Sequence, residues 1–247
     1  LLHFNKSSGN FQFSLQQNIE SDTYDINDLG YLQNNNEQKR SANLKYFIFN
    51  PIGKLRKAHF EISYTNSMLY NPNLFNSNIA EAKIRLHSTK FFASGISIKQ
   101  TIGDTYDYFE ARTNDLNHVF IFGPSLDCYW WSSTDYRNKF SGDLGFGYYA
   151  IPEFDSRSYQ IRWAPRYRVN NHLFMTYVIS HKLEHNNVGR AFDSNYTNLE
   201  DEQGNILFSK RKRKTITNVY KLSYVVNNEL SFDLKLRHYW STLQHKH

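Results

Sequence analysis

Cysteine occurs once, at Cys128, so no internal disulfide can brace the fold. Long apolar runs are missing too. No stretch approaches the ~18 consecutive residues that a transmembrane helix requires, an absence that says nothing against membrane proteins built from strands. The segment Leu1 to Ser8 has no charged stretch followed by an apolar one, so no signal peptide is visible there. Proline (5) and glycine (11) are sparse, and no linker, repeat or break in composition divides the 247 residues. Residues 1–247 therefore read as one domain or part of one.

Recognisable chemistry is also scarce. The segment Asp25-Ile26-Asn27-Asp28-Leu29-Gly30 superficially resembles a calcium loop, but the fifth and twelfth positions, which must supply oxygen ligands, hold Leu29 and Asn36. Asp and Asn there are better suited to local backbone bonds, with Gly30 at a left-handed turn. His181 and His185 stand four residues apart on one strand face, and no carboxylate or thiol completes a zinc set. Cys128, beside Tyr129, Trp130 and Trp131, reads as a small buried side chain. Nothing resembles a nucleophile elbow. The sequence thus offers no catalytic constellation and calls for no metal or cofactor.

What the chain has in excess is rings. Phe (19), Tyr (18) and Trp (4) make up 17% of it, yet its mean hydropathy is −0.67. A polar chain this rich in aromatics fits a membrane barrel, whose rings gather at both interfaces while its interior stays polar. A soluble β-sandwich of the carbohydrate-binding or carbohydrate-active kind is the alternative. The formal net charge of +6 permits anionic partners without demanding nucleic acid.

Alternation is the dominant pattern. Leu230, Phe232, Leu234, Leu236, His238 and Trp240 oppose Ser231, Asp233, Lys235, Arg237 and Tyr239. Tyr159, Ile161, Trp163, Pro165, Tyr167 and Val169 oppose Ser158, Gln160, Arg162, Ala164, Arg166 and Arg168, with Pro165 predicting a local irregularity. A period of two puts the two sets on opposite strand faces. About eleven such segments follow the spacing of an antiparallel meander. Tight turns are predicted at Asn50-Pro51-Ile52-Gly53, Asn170-Asn171 and Asn227-Asn228-Glu229, with Asn accepting positive φ. Longer polar loops are predicted near 22–38, 104–117 and 186–205. The best segments reach the about 9–11 residues that cross a bilayer as tilted strands.

The expected fold is therefore all-β: an antiparallel up-and-down transmembrane β-barrel, or a segment of a larger one. Its apolar face would meet lipid. Its polar face would line a lumen with the cations Arg162, Arg166, Arg168, Lys83, Arg85, Lys235 and Arg237 and few acids, making that wall electropositive. The run Lys210, Arg211, Lys212, Arg213 and Lys214 would alternate between faces if it were a strand. Lipid rejects charges at mid-depth, so it is expected at a rim or in a loop, near anionic lipopolysaccharide head groups.

The string from Asp22 to Leu32, DTYDINDLGYL, and the Gln33-Asn34-Asn35-Asn36-Glu37 that follows resemble a signature of a Bacteroidota family of outer-membrane β-barrel domains of unknown function. Asn187-Val188-Gly189, the stretch FSKRKRKTITN from Phe208 to Asn218 and LRHYWS from Leu236 to Ser241 are similar to further family features in the same order. The resemblance implies a β-barrel in the outer membrane of a Gram-negative bacterium, usually preceded by a domain like family-9 carbohydrate-binding modules. Within it Asp25, Asn27, Asp28 and Gly30 belong to a structural motif. No such preceding domain is seen, nor a closing strand with a terminal aromatic, so the chain is expected to be part of a larger barrel. The expected role is a channel or transport component, or a scaffold in a surface complex, without enzymatic activity. Its partners would be outer-membrane lipid or lipopolysaccharide and other outer-membrane or surface proteins, not nucleic acid.

Overall fold

A computed structural model describes residues 1–25, 35–111, 113, 116, 118–193 and 197–245. Its strands are β1 (Leu2–Lys6), β2 (Phe11–Glu20), β3 (Glu37–Ile48), β4 (Leu55–Leu69), β5 (Phe75–Ser88), β6 (Ala93–Thr101), β7 (Thr105–Asp107), β8 (Phe120–Phe122), β9 (Leu126–Ser133), β10 (Phe140–Ile151), β11 (Ser156–Arg168), β12 (Leu173–Arg190), β13 (Phe208–Val225) and β14 (Ser231–His245). One turn of 3-10 helix, Pro152–Phe154, joins β10 to β11. Twelve strands form one antiparallel sheet in the order β1-β2-β3-β4-β5-β6-β9-β10-β11-β12-β13-β14, and β7 and β8 make a separate hairpin. The meander is thus as the alternation predicts, with the extra hairpin inserted between β6 and β9. Among the described residues β1 pairs only with β2 and β14 only with β13, so the sheet is open along both edges and no barrel is closed.

Register carries each side-chain class straight across the sheet. One row runs through Phe11, Tyr46, Phe60, Ile84, Ile96, Trp130, Phe146, Ile161, His181, Ile216 and Trp240, each the direct partner of the next. The neighbouring row, on the opposite face, runs through Gln12, Lys45, Glu61, Lys83, Ser97, Tyr129, Gly147, Gln160, Lys182, Thr215 and Ser241. A slip of one residue in any pair would mix the two sets, so the two-residue period and the pairing enforce each other.

Burial is inverted relative to a protein folded around an apolar core. On the apolar face Ile62 is 63% exposed, Ile161 57% and Leu236 56%, whereas Ser141, Ser158 and Glu184 on the polar face are 5–6% exposed. The buried hydrophobic residues among those described are few: Ala58, Leu69, Tyr108, Ala111, Ile151 and Ala164. What holds the sheet is its ladder of backbone hydrogen bonds and the cross-strand pairs.

The connections sort by rim. Residues 7–10, 49–54, 89–92, 134–139, 169–172 and 226–230 turn at one rim. Residues 21–36, 70–74, 102–125, 152–155 and 191–207 connect at the other, which carries the three long loops. The predicted turns all fall on the first rim, but their chemistry differs from the prediction. Neither Asn170 nor Asn227 takes a positive φ. The Asn170 side-chain oxygen accepts the N–H groups of His172 and Leu173 at 2.8 Å each, and that of Asn227 accepts those of Glu229 and Leu230 at 2.9 Å each. These asparagines mimic a backbone turn with their side chains, and at 49–54 it is Gly53 that takes the positive φ of 58°. Pro165 behaves as predicted. The ladder from β11 to β12 skips from Trp163 to Arg166, while β11 stays paired with β10 through Gly142 and Pro165. The loop predicted over 186–205 starts later, because β12 continues to Arg190 past a register shift between Glu184 and Asn187.

Glycines inside strands make room for rings. A Cβ on Gly95 would lie 2.7 Å from the Trp131 indole nitrogen and 2.8 Å from the Ile84 carbonyl oxygen, so the indole rests on the backbone of β6. We expect Gly95→Val to destabilise the β5–β6 junction by about 1–3 kcal/mol in urea unfolding. A loss below about 0.5 kcal/mol would show that the indole and the ladder shift freely.

Candidate functional site

The polar face is where the chain's hydrogen-bonding and charged groups converge. Arg162, Arg166 and Arg168 of β11, Lys83 and Arg85 of β5, and Lys235 and Arg237 of β14 all project from it, as the alternation predicts. The expected scarcity of acids is corrected. Asp143, Glu184, Glu61 and Glu81 lie on the same face and pair with many of the cations, because cross-strand neighbours on one face stand within side-chain reach.

Two carboxylates organise this wall. Asp143 of β10 accepts hydrogen bonds from Ser133 Oγ at 2.8 Å, from Arg166 Nη2 at 2.9 Å and from the Tyr136 hydroxyl, and Arg162 Nη1 stands 3.8 Å away. The Arg166 guanidinium also lies over the Tyr136 ring, 4.2 Å from its centroid. Burial, then the bond to Asp143, pushes the Tyr136 hydroxyl above its ordinary pKa, so it stays a proton donor. In the same turn Asp135 is held below its usual range by hydrogen bonds from the Arg137 side chain. Glu184 of β12 accepts hydrogen bonds from Lys182 Nζ at 3.0 Å, from Arg213 Nη2 at 2.9 Å and also from Arg213 Nε. Asn187 Nδ2 lies 3.4 Å from the same carboxylate.

The basic run lies in the first half of β13 rather than in a loop. Arg211 and Arg213 take the half-buried polar face. Lys210, Lys212 and Lys214 are exposed on the apolar side, on the long-loop side of the apolar stretch Ile216 to Tyr224. A strand is possible here because Glu184 and Asn187 compensate the pair on the polar face and the three lysines are exposed. Arg211 donates to Asn187 Oδ1 at 3.1 Å and lies across Gly189, where any Cβ would collide with it.

In the motif near Asp25, residues Asn27, Asp28 and Gly30 lie outside the described residues. Its flanks tie two connections of the long-loop rim together. Asn36, with φ of 62°, donates to the Asn71 carbonyl and accepts the Asn71 N–H, both at 2.8 Å, and Asn71 Nδ2 donates to Asp22 Oδ2 at 2.9 Å. Asn35 Nδ2 donates to the Asp22 and Tyr24 carbonyls at 2.8 and 3.0 Å. Cys128, expected to be buried, is half-buried on the apolar face between Ile98 and Tyr148.

The connection 102–125, predicted only as a polar loop, straps the long-loop rim. At one end the Tyr108 hydroxyl donates to the Phe75 carbonyl at 3.0 Å and the Tyr106 ring stands edge-on to Phe75. At the other, Phe120 stacks on Phe208 with centroids 4.0 Å apart and packs near Phe154. The Glu153 carboxylate accepts the Gly123 N–H at 2.6 Å, and Asn198 Nδ2 donates to the Ala111 carbonyl at 3.0 Å. The strap therefore touches β5, the β10–β11 turn, the β12–β13 loop and β13. The only sequence sign of it is the pairs of alternating rings Tyr106, Tyr108 and Phe120, Phe122, too short to read as strands.

Among the described residues no three His, Cys, Asp or Glu side chains come together as a metal cluster. The arrangement presents hydrogen-bond donors, acceptors and paired charges along one face of the sheet. Glu184→Ala would strand two cations, Lys182 and Arg213, around a buried position, and we expect it to lower the unfolding free energy by about 1–3 kcal/mol, the partners being partly exposed. Lys39→Ala, which breaks the more exposed pair with Glu37 and leaves the Ser67–Glu37 hydrogen bond in place, should cost under about 1 kcal/mol in the same measurement.

No curated protein and no solved structure matches the chain. One family model does, over residues 1–247, described as a domain of unknown function (DUF5916), and the chain belongs to that family.

Proposed function

We propose that this sheet is the wall of an outer-membrane β-barrel in a Gram-negative bacterium, working as a channel or transport component or as a scaffold in a surface complex. The observation that carries the reading is the inverted burial: an exposed apolar face on every strand of the main sheet and, on the inner strands, a polar face on which Ser141, Ser158 and Glu184 are buried. In water such a face costs about 1.5–3 kcal/mol for each large side chain left uncovered, whereas lipid accepts it. A β-sandwich would cover it with a second sheet, and among the described residues no strand packs there. Closure would require the β1 and β14 edges to pair, with each other or with further strands, since lipid tolerates no free edge.

The same reading accounts for the placement of charge. On the apolar face the cations Arg40, Arg157, Lys210, Lys212 and Lys214 lie toward the long-loop ends of their strands and Lys6 at the turn end, leaving the middle uncharged. Those positions suit contact with phosphate-bearing lipid or lipopolysaccharide head groups. Long loops on one rim and short turns on the other are the layout of outer-membrane barrels.

Full-length protein from fractionated membranes should sediment with the outer membrane and migrate faster unboiled than boiled on a gel. A soluble protein with unchanged mobility would overturn the reading. Ile161→Arg gives a second test. An exposed isoleucine in water can be replaced within about 0.5 kcal/mol. At the centre of a lipid-facing strand the same change should cost about 2–4 kcal/mol when folding is measured in vesicles.

A further inference from the structure

Within the polar face one region is shaped as a recess. A cavity of about 220 Å³ lies between the wall and the stem of the β7–β8 hairpin, lined among others by Ser77, Thr101, Phe122 and Ser125. A second, of about 420 Å³, continues along β9 to β12, lined among others by Tyr129, Ser158, Gln160 and Lys182. The two share Asp127 and Tyr149, so they adjoin as one recess, its first part beneath the strap and its second part beyond it along the wall. Together they fall within the size range of small-ligand sites, ~300–1,000 Å³.

Two features give the recess a chemical preference. First, it presents aromatic faces. The Tyr129 ring lies flat against Gly145 and Gly147: a Cβ on Gly145 would come 3.1 Å from Tyr129 Cζ, and one on Gly147 3.4 Å from Cδ2. Trp131, two residues along on the same face and outside the lining of the recess, packs against Gly95 in the other direction. Tyr129 thus packs on backbone on one side, which leaves its other side toward the polar side of the sheet. Second, the charges of the recess cancel. Lys99 and Asp127 are direct cross-strand partners, and neither side chain has an ion-pair or hydrogen-bond partner among the described residues. Lys182 is already paired with Glu184. The other polar side chains that line it are hydroxyls and an amide, which both donate and accept.

Flat rings flanked by neutral donors and acceptors, without net charge, suit a ligand that is apolar on its ring faces and polyhydroxylated at its edges. We infer that this recess binds a short neutral oligosaccharide, one sugar ring stacking on Tyr129 and its hydroxyls bonding Asp127, Gln160 and Ser158. The inference deepens the proposed function by naming a solute class for the polar wall, and it rests on that reading only for the ligand's route.

Binding can be measured on detergent-solubilised full-length protein, where it is independent of membrane localisation. Of the four tryptophans only Trp131 stands on the polar face; Trp130, Trp163 and Trp240 are on the apolar face. Maltohexaose, xylohexaose and chitohexaose are the probes, with glycine and inorganic phosphate as charged controls. At least one hexasaccharide should bind in calorimetry and change tryptophan emission at up to about 10 mM, and the controls should do neither. Trp131→Phe should abolish the emission change while calorimetric binding persists. Tyr129→Phe should retain binding, and Tyr129→Ala should weaken it at least about tenfold. Asp127→Ala, which removes no hydrogen bond or ion pair among the described residues, should weaken it several-fold even if Tyr129→Ala proves unstable. No binding of any hexasaccharide, binding that survives both alanine variants, or tighter binding of glycine or phosphate would each overturn the inference. A protein that binds sugar but fails the membrane and gel test would keep the recess and lose the barrel reading.

Discussion

Everything in this molecule depends on the two-residue period of its strands being kept in phase across twelve of them. Each pair is in register with the next, so apolar residues form unbroken rows on one face and polar residues form rows on the other. No second layer is needed to satisfy the backbone, because each inner strand is hydrogen-bonded on both sides. What such a sheet lacks is an apolar core. Its large hydrophobic side chains stay uncovered, and the few buried ones are mostly small or sit where the loops meet the wall. An uncovered apolar face of that kind is stabilised by an apolar neighbour, which is the basis for proposing it as a membrane wall.

The polar face solves the opposite problem. It gathers charges into a shielded space, where an unpaired ion is costly, and the carboxylates Asp143 and Glu184 answer by holding two or three donors each. Glycine serves the same face by letting rings lie flat on the wall instead of standing into the space, as Tyr129 and Trp131 do. The strap at the long-loop rim then roofs part of that space and turns an open surface into a recess. Pairing, ring placement and roof together give the recess balanced charge and exposed ring faces.

The charged run of β13 shows how position along a strand decides whether a charge is tolerable. The five consecutive cations stay within a strand paired on both sides, though the ladder with β12 shifts register opposite Lys212, between Glu184 and Asn187. Arg211 and Arg213 find acceptors on the polar face, and Lys210, Lys212 and Lys214 begin where the apolar stretch of the strand ends. The same five residues a few positions later would place three ammonium groups in the middle of the apolar face.

The antiparallel meander, the two faces and the rim of the three predicted turns were legible in the sequence, because they follow from alternation and turn-forming residues, which are local; about eleven of the fourteen strands were legible, the short β7–β8 hairpin not among them. The residues of the polar face were legible for the same reason: Arg162, Arg166, Arg168, Lys235 and Arg237 had to share a side once their strands were recognised. Which acid meets which base was not legible, since Asp143 reaches Arg166 and Glu184 reaches Arg213 only through register between strands. Nor was the strap, whose contacts with Phe75 and Phe208 join residues far apart in the chain. Sequence by itself determined which side of each strand is apolar, since a period of two leaves no choice. Only the tertiary structure decided which polar groups meet, where a ring can lie flat and what is roofed, because those depend on side chains from separate strands arriving at one place.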